Sequence, residues 1–140
     1  MILKKVAQKQ LMLLWLISAL IAFLLMILKS NGDIFGSKTE DAWSWFLPTI
    51  LPTLSLMITV AIIDFSSTIN DQKQSDTFLF RIAFWLSFIY LFFLNFTILN
   101  PIASDLSPID LMKKSNLWLG PLQGLVSAAL TAFFVKPKNN

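Results

Sequence analysis

The chain has 140 residues, of which 56% are hydrophobic and only 14% charged, against about a quarter charged in soluble domains. Its mean hydropathy is +0.69, and a soluble particle of this size has too little interior to hide that much apolar surface, so the bilayer is expected to act as solvent. Cys and His are both absent, which excludes disulfides, thiol redox chemistry, thiolate or imidazole metal sites, haem ligation by histidine and every catalytic dyad or triad built on either residue.

Four apolar stretches are long enough to cross a hydrocarbon core of about 30 Å: 8–28, 42–63, 78–99 and 117–135. They predict an all-α integral membrane protein, a bundle of four transmembrane helices. Residues 1–140 then form a single membrane domain, because no connection between spans is long enough to fold as a soluble one.

Lys4, Lys5 and Lys9 precede the first span and resemble the start of a secretory signal. The apolar run from Leu11 to Leu28 exceeds the usual core of a cleaved signal, about 7 to 15 residues, so an uncleaved helix is expected. Its one polar side chain inside the apolar run is Ser18. Small four-helix multidrug exporters rely on a carboxylate in this helix, so that function is disfavoured.

Turns are predicted at Asn31-Gly32-Asp33 and Gly36-Ser37, and Thr39-Glu40-Asp41 supplies a capping oxygen and two carboxylates to the positive end of the second helix. That helix carries Pro48 and Pro52, each of which removes a donor and should kink it unless neighbours serve the freed carbonyls. Thr49 and Thr53 are placed to help. Pro48, Pro52, Ser55 and Thr59 share a stripe that is expected to face the bundle interior. Trp43 and Trp45 lie where an interfacial aromatic belt is expected.

The third span is aromatic on all sides, as expected of a lipid-facing or bundle-packing helix. Arg81, near its start, either snorkels to the headgroups or pairs with Asp64 at the end of the second helix. Asn95 is expected to hydrogen-bond another helix.

Before the fourth span, Ser107 reads as an N-cap, Pro108 as the first helical residue and Lys113-Lys114 as a closing turn. The alternatives are a short interfacial helix and a plain connector. Within the span, Gly120, Gly124, Ala128 and Ala132 form a small-residue ridge that suits close approach of another helix, either the second helix of the same chain or a second protomer. A polar line of Gln123, Ser127 and Thr131 runs beside it.

Orientation follows from the basic residues. Lys4, Lys5, Lys9, Lys73, Arg81, Lys136 and Lys138 fall on one side, while Lys29, Lys38, Lys113 and Lys114 fall on the other. A multi-pass protein of the cell (plasma or inner) membrane with both termini cytoplasmic is predicted. This explains the pI near 9.3 without a nucleic-acid partner.

No phosphate-cradling glycine loop, paired intramembrane carboxylates or metal-ligand cluster is visible. No enzyme, cofactor or metal is therefore expected. The leading functional reading is an oligomeric pore-like or membrane-permeabilising effector, a homo-oligomer in the lipid bilayer. The alternative is a membrane anchor or accessory subunit with a protein partner at the cytoplasmic rim. A small-solute transporter ranks third, because neither a coupling carboxylate nor an inverted repeat is present.

Overall fold

The computed structural model describes residues 2–66, 74–99 and 105–135. It is an all-α bundle of four long apolar helices: α1 (Lys4–Asn31), α2 (Thr39–Ser66), α3 (Thr77–Leu99) and α4 (Pro108–Val135). Each is long and apolar enough to cross a membrane. The 28 residues of α1 span about 42 Å at 1.5 Å per residue, so the helix reaches beyond the hydrocarbon core into both headgroup regions.

Contacts at the helix ends set an up-down-up-down arrangement. The α1 terminus meets the α3 terminus, where the Lys29 ammonium donates to the backbone oxygens of Ile98 and Leu99. Those carbonyls have no helical donor, and a cation there also complements the negative end of the helix dipole. At the same rim Trp43 Nε1, from the first turns of α2, donates to Ser30 Oγ at 3.0 Å. Lys113 pairs with Asp41 at 3.6 Å, tying the start of α4 to the start of α2. Both side chains of that pair are exposed, so it fixes geometry more than stability.

At the opposite rim, β1 (Ile2–Leu3) pairs antiparallel with β2 (Gln74–Ser75). This joins the starts of α1 and α3. The short sheet was not foreseen, since two-residue strands carry no periodic signal.

Local signals account for the helix starts. Asp76 Oδ1 accepts the N–H of Phe78 at 3.0 Å ahead of α3. Ser107 Oγ accepts the N–H of Asp110 at 3.2 Å and donates to its carboxylate at 2.7 Å, with Pro108 as the first helical residue. Gly36, at φ 53°, takes the left-handed conformation that glycine adopts without a Cβ clash, and the 3-10 turn Gly36–Lys38 leads into α2.

Residues 108–116 correct one expectation. They form neither a separate interfacial helix nor a connector but the first turns of α4. Nothing between Lys113 and Leu117 breaks a helix, and the Ser115 hydroxyl folds back onto the Met112 carbonyl at 2.6 Å. Ile109 and Met112, at 3% and 1% exposure, pack into the protein rather than resting in the lipid boundary.

The core is a set of facing rows: Leu11, Trp15, Ala19, Ala22 and Met26 on α1; Phe46, Ile50, Leu54 and Met57 on α2; Phe80, Ala83, Tyr90, Leu91 and Leu94 on α3; Leu119, Val126, Leu130 and Phe133 on α4. On α3 the buried positions Phe80, Ala83, Ser87, Tyr90, Leu94 and Ile98 step by three and four residues, as a packed helix seam does. Of its other aromatics, Phe84 is half-buried, while Phe78, Trp85, Phe88, Phe92, Phe93 and Phe96 are exposed to what is lipid in a membrane.

Candidate functional site: the proline kink and the outward face of α4

Pro48 and Pro52 both lie inside α2. Pro52 brings no N–H to the carbonyl of Pro48, which would normally receive it from the residue four positions on. A neighbouring helix supplies the missing donor: Gln123 Nε2 of α4 donates to Pro48 O at 3.2 Å and reaches Thr49 O at 3.4 Å. From α3, the Tyr90 hydroxyl donates to the same Thr49 carbonyl at 2.5 Å. The Tyr90 ring stacks on Trp15 of α1 with centroids 5.9 Å apart. One irregular turn of α2 is thus held by side chains from α3 and α4, one of which, Tyr90, is in turn stacked on the Trp15 indole of α1. The turn lies within the membrane-crossing part of α2, where a freed carbonyl facing hydrocarbon is costly.

Thr49 donates to its own Phe46 carbonyl at 2.5 Å, and Thr59 to Ser55 O at 2.8 Å. Thr53 does not help at the kink. Its hydroxyl is buried and finds no partner among the described residues, as do Ser87 Oγ, Trp15 Nε1 and Trp45 Nε1.

Two predictions arise here. Gln123→Leu should cost about 1 kcal/mol of bundle stability, and the cost should shrink in a Pro52→Ala background, where the backbone N–H restored at position 52 serves Pro48 O directly. An unfolding titration in mixed micelles across the four proteins measures that coupling; equal cost in both backgrounds would refute the assignment. Ser87→Ala removes a buried hydroxyl that no described group satisfies, so it should leave the unfolding midpoint unchanged or raise it. A fall of about 1 kcal/mol or more would mean that the hydroxyl has a partner.

The stripe Pro48, Pro52, Ser55 and Thr59 lies on the exposed side of α2, contrary to the expectation that it faces inward. The bulkier row from Phe46 to Met57 fills the interior and turns the proline rings outward. On α4, Gly120, Gly124, Ala128 and Ala132 are likewise exposed. A Cβ added at Gly120 or Gly124 would meet nothing within 4 Å, so among the described residues no helix packs on the ridge at these two positions. Gln123 and Ser127 are half-buried and Thr131 is exposed. A third proline, Pro121, lies in α4 beside the ridge and leaves the Leu117 carbonyl without its helical donor.

Asn95 makes its bond within its own helix: Nδ2 donates to Leu91 O at 2.9 Å, and among the described residues it bonds to no second helix. Trp45 is buried rather than part of an interfacial belt, and Trp43 is half-buried through its bond to Ser30. Arg81 is exposed. Its proposed pairing with Asp64 concerns a side chain outside the described residues, as do Lys73, Lys136 and Lys138.

Sequence reasoning missed Tyr90, the node's main donor. The signal was available, since it is the only tyrosine in the chain and lies mid-span, where a phenol must find an acceptor. Among the described residues no three His, Cys, Asp or Glu side chains gather as a metal site would require.

The fold and its polar node define a small polytopic four-helix membrane protein. Compared with protein-family models, with curated proteins and with solved structures, the chain matches none of them.

Proposed function

We propose that this is a non-enzymatic membrane protein that self-associates through the outward face of α4 and acts, as an oligomer, as a pore-like or membrane-permeabilising effector. The observation that carries the reading is the open space at Gly120 and Gly124. Between helices in lipid there is little hydrophobic drive, and small residues favour association because they let backbones approach closely. A ridge of four small residues turned away from its own bundle offers that approach to another protomer.

The neighbouring outward face of α2 adds chemistry to the packing. Pro48 leaves the Ser44 carbonyl without its helical donor, and Ser55 and Thr59 are exposed about three and four turns further along the same side of α2. On α4, Ser127 and Thr131 continue the side that begins at Gln123, four and eight residues on. Hydroxyls and freed carbonyls are better served by water or a second protomer than by acyl chains. Several copies arranged with these faces inward line a narrow, uncharged path with weak ion selectivity. The basic residues at both ends of the chain support cytoplasmic termini for each protomer.

Release of a self-quenched dye from liposomes tests the reading. Wild-type protein should release the dye and Gly124→Leu should not. A wild-type protein that inserts, stays monomeric and leaves the vesicles sealed overturns it.

A further inference from the structure

The two rims of the bundle use their charges differently. At the rim where α1 ends, four Lys face Asp33, Glu40, Asp41, Asp105 and Asp110, and two of those cations work inside the protein: Lys29 on the carbonyls of Ile98 and Leu99, and Lys113 on Asp41. At the rim closed by β1 and β2, the described charged side chains are Lys4, Lys5, Lys9 and Arg81 against Asp76 alone. Asp76 Oδ1 already accepts the N–H of Phe78. None of the four cationic side chains pairs with a described residue.

The start of α1 is left in the same state. The other three helices each begin beside a carboxylate: Glu40 and Asp41 for α2, Asp76 for α3 and Asp110 for α4. α1 has no acidic residue in its first turn and no capping side chain at Leu3. The positive end of its dipole, with N–H groups that have no helical acceptor, therefore lies next to Lys4 and Lys5. Like charges gathered in this way repel, and no described residue offsets them. An anion from outside the chain would.

Depth identifies that anion. α1 overhangs the hydrocarbon core by about 6 Å at each end, so Lys4 and Lys5 reach the headgroup region. Lys9 and Arg81 lie further inside their helices, and both are exposed; their long stems carry the charge back to the same level. Lys5 and Lys9, four residues apart, share one side of α1. Cations held at the phosphate level on aliphatic stems meet lipid headgroups before they meet bulk water.

We propose that the rim formed by the starts of α1 and α3 is a binding surface for anionic phospholipid, whose negatively charged headgroups are held by Lys4, Lys5, Lys9 and Arg81. The surface is separate from the α4 ridge and does not depend on self-association.

Two phospholipids with a diazirine near the glycerol, one with a phosphatidylglycerol and one with a phosphatidylcholine headgroup, test this on the full chain in bilayers. At low salt the anionic lipid should label peptides covering residues 4–10 and 77–81 about five-fold more than the zwitterionic one, the worth of one cation at a charged membrane surface. Both should label residues 110–115 equally. Lys5→Gln combined with Lys9→Gln and Arg81→Gln should erase the preference, and Lys113→Gln should leave it unchanged. In the wild-type protein, salt at about 1 M, which shortens the screening length to about 3 Å, should erase it too. Equal labelling of wild-type protein by the two lipids at low salt would overturn the proposal without reference to any variant. So would a preference abolished by inorganic phosphate at matched ionic strength, since the ligand would then be a soluble anion.

Discussion

Tyr90→Ala should destabilise the bundle by about 3 kcal/mol, near the low end for deleting a buried aromatic ring. Three losses combine. The Tyr90 ring is fully buried, so its removal leaves a cavity; its stack on Trp15 disappears; and Thr49 O loses a donor from another helix. The figure stays at the low end because lipid is itself an apolar solvent, so part of the transfer cost seen in soluble proteins does not apply. Tyr90→Phe keeps the ring and loses only the hydroxyl, so about 1 kcal/mol is expected. Unfolding by a denaturing detergent, followed by tryptophan emission, measures both. If the alanine variant unfolds with wild type, the node does not hold the helices together.

Gly124→Leu should show opposite signs in two measurements. Within one protomer a Cβ at this position meets nothing within 4 Å, and replacing a glycine inside a helix removes a propensity penalty of about 0.8 kcal/mol. The folded protomer should therefore be as stable as wild type or more so. Between protomers the branched side chain separates backbones that the glycine allowed to touch, so association and dye release should both be lost. A general loss of folding cannot produce that combination. If instead the variant unfolds more easily while its assembly is unchanged, the ridge is an internal packing surface.

What could be read in the sequence divides along a physical line. Helix positions were legible because a bilayer asks only for apolar length, which 8–28 or 78–99 displays without knowledge of any partner. The cap at Ser107 was legible too, since the Ser107–Asp110 contact is local chemistry, but the continuity of residues 108–116 with the fourth span was not. Which side of each helix turns inward was not. In water, burial and hydrophobicity coincide, but in lipid the outside is as apolar as the inside, so exposed Phe92 and buried Phe80 look alike in sequence.

Polarity alone points the stripe through Pro48 and Ser55 inward, but bulk decides the matter. Asn95 finds its acceptor one turn away, at its own Leu91 carbonyl. Gln123 was recognised only as one of three polar residues in a line. Its service to the carbonyl freed by Pro52 becomes evident once α2 and α4 lie side by side.

Counting protomers per particle tests the central claim most directly. A single cysteine, introduced near one end of this otherwise cysteine-free chain and labelled with one fluorophore, allows stepwise photobleaching in dilute proteoliposomes. Wild type should bleach in several steps and Gly124→Leu in one. Single-step bleaching of the wild-type protein would contradict self-association through α4 and, with it, the permeabilising role.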